Sequence, residues 1–254
     1  MTLTEEKINQ YLNLREEKGK QLFIKNTIGS LLHYNLTNNK IYISSVGDIL
    51  GYCNYELYLK AYVSRYGLYR IPHTIESEKA MELGRNYHNL EGTRLGIPEF
   101  KEEEATTLLQ EPISWVEFPI STLYKGYSFR GRLDYIQFKD DSIHFEEWKF
   151  TRRGRVDLSH KVQASIYAYL LYNWIPTKIS YTIKVWKKDL PDSPSDIFNQ
   201  VYKSPIGPEF YMDKLVDLYS GGRCAEPEPG PGCEWCDFGP NRRSQVTCNH
   251  RRGD

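Results

Sequence analysis

The stretch YSFRGRLDYIQFKDDSIHFEEWKF, residues 127–150, predicts a β-hairpin that carries charged side chains among aromatic ones. Apolar and polar residues alternate in part on both sides of residues 140–142, which predicts two strands joined by a tight turn. Charges are costly to bury unless something compensates for them. Because Asp134, Glu147 and Lys149 lie within these strands, the hairpin is either an exposed edge or the wall of a site.

The position of the turn determines the register of the hairpin. Opposed residues in an antiparallel pair have numbers of constant sum, and a turn centred on residues 140 and 141 makes that sum 281. Asp134 is therefore predicted to lie opposite Glu147. Lys149 shares the face of Glu147 because strand side chains alternate, and Glu146 points to the opposite face.

Asp134, Glu147 and Lys149 form a combination with a chemical use. Two carboxylates on one face repel each other unless a cation lies between them. Oxygen ligands suit Mg²⁺ or Mn²⁺, and a neighbouring lysine can orient or help to deprotonate an attacking water, or hold a phosphate oxygen. Glu-x-Lys alone is short, however, and is more often a surface ladder of opposite charges.

The remaining predicted elements surround this hairpin. Helices are predicted over 4–33, from Ser45 onward in SVGDILGYCNYELYLKAY, over 76–96, over 159–175 with Ser159 as N-cap, and over 208–221. Further strands are predicted over 114–121 and 178–188, and residues 191–196 are predicted to be a loop. This order of elements describes an α/β or α+β fold with a mixed central sheet.

The chain divides into four predicted segments. They are an N-terminal helical extension (1–44), a helical region (45–112), a core (113–222), and a cysteine-rich tail that contains a Pro/Gly-rich linker (223–254). The segment boundaries follow changes in composition and in periodicity.

The composition is that of a soluble globular protein. Of 254 residues, 40% are hydrophobic and 26% are charged, and the net charge is zero. No apolar run reaches about 18 residues, so no membrane-spanning helix is expected. The first residues lack a secretory signal, which makes a cytoplasmic location the expectation.

A zero net charge gives no global attraction for nucleic acid, so any attraction must be local. Lys149–Lys161 contains five basic residues and one aspartate. Arg152 and Arg153 in this stretch are candidate contacts to a DNA phosphate backbone. The alternative is an ordinary solvated charged face.

Four of the five cysteines lie in the last 31 residues. An odd number of cysteines in a cytosolic chain argues against a disulfide framework. Cys233 and Cys236 form Cys-x-x-Cys, whose spacing lets two thiolates bind one metal. This motif alone fits a zinc site, an iron–sulfur cluster or a redox pair, although no βαβ pattern frames it as in thioredoxin-like proteins.

The combination of three sequence features resembles the PD-(D/E)xK nuclease superfamily, and most of all its RecB-like branch. These features are GRLDYI, the thirteen-residue spacing to EEWK, and QASIYAY in the next predicted helix. The resemblance implies a restriction-endonuclease-like fold with Asp134, Glu147 and Lys149 as catalytic residues. Gln163 and Tyr167 match the Gln-x-x-x-Tyr element, which in this branch lies beside the active site and contacts DNA or the attacking water.

An upstream helix supplies a further element of the same resemblance. The branch has a metal-binding histidine in a Gly-x-x-x-His pattern, which Gly84 and His88 match in GRNYH. The resemblance therefore implies that His88, Asp134 and Glu147 hold Mg²⁺ or Mn²⁺. By itself, His88 is more often an ordinary helix histidine.

The cysteine pattern resembles that of the CRISPR-associated Cas-four exonucleases, which carry one cysteine before the nuclease core and three after it. The resemblance implies a [4Fe–4S] cluster held by Cys53, Cys233, Cys236 and Cys248. That family places its last cysteine closer to the pair than Cys248, which follows Cys236 by twelve residues. Cys224 is therefore the alternative fourth ligand, and zinc is the alternative metal.

Taken together, the resemblance implies a metal-dependent DNA exonuclease that hydrolyses phosphodiester bonds. Single-stranded DNA is the expected substrate, in CRISPR spacer acquisition or in DNA repair and recombination, with CRISPR adaptation or repair proteins as expected partners. The alternative is a non-catalytic nucleic-acid-binding subunit with a structural iron–sulfur or zinc site. The presence of every motif residue favours the enzyme.

Overall fold

The computed structural model describes residues 40–47, 59, 75–97, 99, 113–139, 142–187, 192–203 and 206–220. Within these ranges the chain forms six strands and three helices, with a 3₁₀ turn at Ile43–Ser45. The strands are β1 (Lys40–Tyr42), β2 (Ile113–Tyr124), β3 (Tyr127–Lys139), β4 (Ser142–Thr151), β5 (Lys178–Lys187) and β6 (Asp196–Val201). The helices are α1 (Ile75–Leu95), α2 (Leu158–Trp174) and α3 (Ile206–Ser220).

The strands form one mixed sheet flanked by the helices, which confirms the predicted α/β architecture and is consistent with a restriction-endonuclease-like fold. β3 is antiparallel to both β2 and β4, and its pairing with β4 is the predicted hairpin. β1 pairs in parallel with β3, β4 pairs in parallel with β5, and β6 is antiparallel to β5. None of the helices in the described ranges is long and apolar enough to cross a bilayer.

β3 is the strand around which the others are arranged. β2 pairs with it along almost its whole length. The other edge of β3 is shared, because β1 pairs with Ser128–Arg130 and β4 pairs with Tyr135–Lys139. Residues 131–134 therefore have no strand partner on this edge within the described part of the chain.

The hairpin of β3 and β4 has the predicted register sum of 281, but its ladder ends at Tyr135 opposite Glu146. Asp134 and Glu147 are the next positions, and they do not form the ladder pair that the sequence predicted. The reason is that β4 leaves β3 at this point and continues along β5. We call this point the strand fork.

A second irregularity lies in β2 at Glu117, whose φ of 55° is unusual for a residue other than glycine. The pair before it, Val116 and Tyr135, belongs to a small apolar cluster, whereas the pair after it belongs to the main core. The register sum is unchanged across this point, so each strand contains one unpaired residue there, Glu117 in β2 and Asp134 in β3. At this point the alternation shifts by one residue in both strands, so side chains that faced one side of the sheet now face the other.

Apolar residues cover both faces of the sheet. The main core lies between the sheet and helices α2 and α3, and its largest fully buried side chains include Phe118, Phe129 and Phe145. A smaller cluster on the other face contains Val116, Tyr135, Trp148 and Trp186. Helix α1 lies on that second face. Along β4, alternation therefore directs Glu147 toward α2 and Trp148 toward α1.

Helix α2 begins earlier than predicted, and its N-cap is Asp157 rather than Ser159. The Asp157 carboxylate accepts a 3.1 Å hydrogen bond from the backbone N–H of His160 and a 2.6 Å bond from the Ser159 hydroxyl. The His160 side chain completes a capping box. An ionised carboxylate is the better acceptor, which explains why the cap falls two residues upstream.

Other predicted elements are confirmed with shifted ends, and one was missed. The predicted strand over 114–121 extends over Ile113–Tyr124. Residues 196–201 form the exposed edge strand β6, which the sequence did not predict. The predicted helix over 4–33, the predicted helix from Ser45 onward apart from residues 45–47 and 59, the linker and all five cysteines lie outside the described residues. These segments stay predictions.

Candidate metal centre

The side chain of Asp134 joins β3 to β4 at the strand fork. The backbone N–H of Trp148 donates a hydrogen bond of 2.6 Å to Oδ2 of Asp134, where the β3–β4 ladder would otherwise continue. Asp134 is only 6% exposed. Its carboxylate therefore connects β3 to β4 at the end of their ladder and is fixed in position.

His88 contacts the other oxygen of Asp134, and Glu117 contacts His88 in turn. Nδ1 of His88, on α1, lies 3.1 Å from Oδ1 of Asp134 and 3.6 Å from Oε1 of Glu117, on β2. One possible ligand atom from each of the three residues lies within 4.8 Å of the others. One imidazole and two carboxylates at this spacing suit a divalent cation.

The electrostatics of His88 reflect these two carboxylates. Burial lowers the pKa of the imidazole, but its contacts with Asp134 and Glu117 outweigh burial and raise the pKa to about 10. Without a metal, the imidazole therefore holds a proton between the carboxylates at neutral pH. A divalent cation would take the place of that proton, so metal binding is coupled to proton release.

Glu117 is the site residue that the sequence analysis missed. The sequence held a signal for it, because a Lys125-Gly126 pair marks a tight turn between two strands, and both residues have positive φ there. Opposed residues in this hairpin have the constant sum of 251, which places Glu117 opposite Asp134. The position of this turn therefore identifies Glu117 in the same way that the turn after β3 identifies Glu147.

Glu147 lies on β4, toward α2, and is 2% exposed. Its Oε1 accepts hydrogen bonds from Nζ of Lys149 and, at 2.8 Å, from Nε2 of Gln163. Its Oε2 is buried and has no hydrogen-bond partner among the described residues. The compact ligand group consists of His88, Glu117 and Asp134, so Glu147 lies beside that group and not within it.

Burial and the surrounding charges set the protonation of the two β4 residues. Burial raises the pKa of Glu147 to about 7, although the charge of Lys149 acts in the opposite direction. Burial lowers the pKa of Lys149, but the charges of Glu147 and Asp134 outweigh it and raise that pKa above its usual value. Lys149 is therefore a cation at neutral pH.

Glu146 has a different environment from Glu147. Its Oε2 accepts a 2.8 Å hydrogen bond from Nε1 of Trp148 and lies 2.6 Å from Nζ of Lys184. Both partners lie away from the Lys149 and Gln163 that contact Glu147. The prediction that the two adjacent glutamates point to opposite faces is confirmed.

Helix α2 approaches the fork through Gln163 and Tyr167. The Tyr167 hydroxyl accepts a 3.3 Å hydrogen bond from the backbone N–H of Arg132, in the stretch of β3 that has no strand partner on that edge. A side chain at Gly131 would overlap the Tyr167 ring, so glycine leaves the space that the ring occupies. Gln163 and Tyr167, four residues apart, thus lie on one side of α2 and both face the fork.

Arg152 and Arg153 lie in the exposed loop that follows β4. Gly154 anchors this loop with a φ of 60°, because its N–H donates to Oγ1 of Thr151 and its carbonyl accepts a 2.6 Å bond from the Ser195 hydroxyl. The two guanidinium groups therefore project from a fixed turn, beyond the strand that carries Lys149. Their role in contacting DNA stays a prediction.

The donor atoms at the fork fit a hard divalent cation. Three carboxylates and one imidazole are available, and a buried, unpartnered oxygen such as Oε2 of Glu147 is satisfied when a cation lies near it. Oxygen-rich sites suit Mg²⁺ and Mn²⁺, and an imidazole ligand shifts the preference from Mg²⁺ toward transition metals such as Mn²⁺. The predicted cofactor thus agrees with the residues present.

No family model and no curated protein matches this chain. Solved structures do match it. A protein named SSO0001 has a TM-score of 0.46 and 17% identity, over 86% of this chain and 92% of its own. A protein from Eubacterium rectale, named "putative exonuclease", has a TM-score of 0.44 and 12% identity, over 93% of this chain and 92% of its own. These likenesses are too distant to carry an argument about function, which rests on the site residues.

Proposed function

We propose that this protein is a metal-dependent nuclease that hydrolyses phosphodiester bonds in DNA. The observation that carries the proposal is the convergence at the strand fork of His88, Glu117 and Asp134 with the ion pair of buried Glu147 and half-buried Lys149. Cation ligands and a half-buried lysine in one place suit phosphoryl chemistry, where negative charge must be held and neutralised.

His88, Glu117 and Asp134 would hold Mg²⁺ or Mn²⁺, with Oε2 of Glu147 available beside them. The metal, when bound, would supply positive charge to the reacting phosphate and lower the pKa of a water molecule. The chain positions these ligands before the metal arrives, because Trp148 fixes one oxygen of Asp134 and Gln163 fixes one oxygen of Glu147. Preorganised ligands lower the cost of binding the metal in a reactive geometry.

Lys149 has the role of a fixed cation in this proposal. Its raised pKa keeps it protonated, so it holds and neutralises a phosphate oxygen and does not itself remove a proton from water. Glu147 anchors its ammonium group through the same Oε1 that accepts from Gln163. An ammonium held in place stabilises the transition state without reorganising during the reaction.

The finer parts of the proposal rest on the sequence resemblance. These are exonucleolytic action on single-stranded DNA, a [4Fe–4S] cluster on Cys53, Cys233, Cys236 and Cys248, and a role in CRISPR spacer acquisition or in DNA repair. Arg152 and Arg153 would contact the phosphate backbone beyond Lys149. Iron and zinc analysis of anaerobically purified protein, with its visible absorbance spectrum, tests the cluster against the zinc alternative.

The central experiment incubates the purified protein and Mn²⁺ with end-labelled single-stranded DNA, duplex DNA and RNA of the same sequence, and with internally labelled closed single-stranded circles. We expect cleavage of linear single-stranded DNA, no cleavage of circles, and loss of cleavage in Asp134→Ala and Lys149→Ala. Cleavage of circles would contradict exonucleolytic action, and cleavage of RNA would contradict the choice of DNA.

Binding assays on the same samples distinguish the enzyme from a binding module. DNA binding without cleavage by the wild-type protein in Mn²⁺ or Mg²⁺ would overturn the enzyme proposal. It would support a non-catalytic nucleic-acid-binding subunit. The matched control for the catalytic variants is Glu146→Gln, because Glu146 shares the strand and the charge but lies on the opposite side.

A further inference from the structure

A cavity of about 380 Å³ lies beside the candidate metal centre, on the face of the sheet that α1 covers. His88 and Lys149 are among the residues that line this cavity, so it borders the centre. Most of its other walls are apolar or aromatic. Those aromatic side chains are Tyr87, Trp148, Phe150 and Trp186.

Two of the aromatic rings form a stacked platform in the wall. The Tyr87 and Phe150 rings lie with their centroids 3.8 Å apart and their planes at 17°. Both side chains are half-buried, so they are supported by the protein and still accessible. A rigid aromatic platform of this kind is what single-stranded nucleic-acid sites offer to a base, whose flat face stacks on it.

The charges around the cavity indicate which part of a nucleotide it takes. The carboxylates in its wall, Glu91 and Asp192, repel a phosphate. The Arg94 guanidinium is already paired with Glu91 at 2.8 Å. The other cationic group in the wall is Lys149, whose ammonium pairs with Glu147 beside the metal ligands. Phosphate therefore belongs at the metal centre, and an uncharged group belongs in the cavity.

We infer that this cavity, the base pocket, binds one unpaired nucleobase adjacent to the phosphate that is cleaved, with the base extending the stack that Tyr87 and Phe150 form. The inference deepens the proposed function and rests on it for the identity of the substrate. A volume of about 380 Å³ is near the lower end of ligand pockets, roughly 300–1,000 Å³, which suits a single nucleoside.

The base pocket explains a preference for single strands on physical grounds. A base in a duplex is paired and stacked on its neighbours, and extracting it costs free energy. A base in a single strand enters without breaking a pair. The pocket thus couples recognition of an unpaired base to the position of the phosphate at Lys149 and the metal ligands.

The first experiment measures binding without chemistry. A short single-stranded DNA carries the fluorescent base 2-aminopurine at one position, stepped along the strand in a series, and is titrated with protein in EDTA and in Ca²⁺. We expect one position whose fluorescence is quenched most strongly, because that base stacks on aromatic rings. Tyr87→Leu and Phe150→Leu keep an apolar side chain and should remove most of this quenching.

The second experiment measures affinity with an abasic site stepped along the same strand. We expect wild-type protein to bind about tenfold more weakly when the abasic site is at the quenched position, and the Leu variants to show no such penalty. Phe210→Leu is the control, because Phe210 is an aromatic on α3 that is 64% exposed and outside the cavity. It should behave as wild type in both assays.

The outcomes separate this inference from the proposed function. Equal affinity of wild-type protein for intact and abasic strands, with quenching unchanged in both Leu variants, overturns the base pocket even if Mn²⁺-dependent cleavage occurs. Absence of cleavage overturns the proposed function, while a quenched position that depends on Tyr87 and Phe150 would still support the pocket. Circular dichroism and thermal melts of each Leu variant verify that it is folded.

Discussion

The backbone N–H of Trp148 donates a 2.6 Å hydrogen bond to Oδ2 of Asp134, so a side chain replaces a ladder partner where β4 leaves β3. One oxygen of Asp134 thus has a structural role, and the other, Oδ1, faces His88. The same carboxylate connects β3 to β4 at the end of their ladder and contributes to the candidate metal centre. A substitution that removes only one of these roles distinguishes the contribution of Asp134 to stability from its contribution to metal binding.

Asp134→Asn should retain an acceptor for the Trp148 N–H, whereas Asp134→Ala leaves that buried donor without one. We expect Asp134→Ala to lower the free energy of unfolding by about 1–3 kcal/mol relative to Asp134→Asn. Both variants should lose Mn²⁺ binding and cleavage. Denaturant unfolding and calorimetric titration with Mn²⁺ check this. Equal stability of the two variants would mean that the hydrogen bond does not support the fork.

The adjacent glutamates provide a sharper comparison. Glu147→Gln removes a buried charge beside Lys149 and should reduce the rate of DNA cleavage by about 100-fold or more, the usual effect of losing a group that stabilises the transition state. Glu146→Gln alters a pair with Lys184 on the other side of the strand and should leave the rate within about threefold. Rates measured in excess Mn²⁺ check this. The reverse order of effects would show that Glu146 is the catalytic residue.

Much of this site could be predicted from the sequence, because the position of the turn determines the register of a hairpin. The turn after Lys139 correctly gave the sum of 281 and the opposite orientations of Glu146 and Glu147. The sequence could not predict that the ladder would end one pair before Asp134. That ending depends on tertiary contacts, namely β4 continuing along β5 and Tyr167 occupying the space beside Gly131.

The contribution of Glu117 was hidden for a related reason. Strand alternation assumes a constant period of two, and the positive φ of Glu117 interrupts it in the middle of β2. Periodicity therefore predicted a plain strand over 114–121. Helix α1 shows a similar limit, because Leu83 and Leu90 have the spacing of a buried stripe and yet are exposed. Periodicity identified that helix, and it did not identify the contacts of His88.

Glu117 holds a backbone conformation that disfavours side chains, which predicts a trade-off between stability and metal binding. A left-handed conformation costs a residue other than glycine about 1–2 kcal/mol. We expect Glu117→Gly to be about 1 kcal/mol more stable than Glu117→Gln, because both lose the carboxylate and only glycine relieves the strain. Both should bind Mn²⁺ more weakly than wild type. Unfolding curves in EDTA and Mn²⁺ titrations check this, and a less stable glycine variant would contradict it.

The pKa of His88 predicts a pH dependence for the metal-free protein. Contacts with Asp134 and Glu117 raise this pKa from 6.5 to about 10, so the folded state holds the proton more tightly than the unfolded state. The resulting stabilisation is complete below pH 6.5 and is lost as the pH rises toward 10.

The variant His88→Gln isolates that contribution. In EDTA, the stability of wild type minus that of His88→Gln should be largest below pH 6.5 and should shrink steadily up to pH 10. Glu147 also has a raised pKa and contributes in the same direction below about pH 7, but it is present in both proteins and its effect largely cancels. Denaturant unfolding across this pH range checks the difference. A difference that grows with pH would mean that His88 is not held as a cation.

Gly131 is predicted to be essential to the fork because a Cβ there would overlap the Tyr167 ring. Gly131→Ala should destabilise the protein by about 1–3 kcal/mol, typical of an overpacked core. Adding Tyr167→Leu should restore part of that loss, since the clash then disappears, so the two changes should be less than additive. Gly84→Ala is the control, because nothing lies within 4 Å of its new Cβ and alanine favours a helix by up to about 1 kcal/mol. Strict additivity at Gly131 and Tyr167 would show that the tyrosine does not fill the space that this glycine leaves.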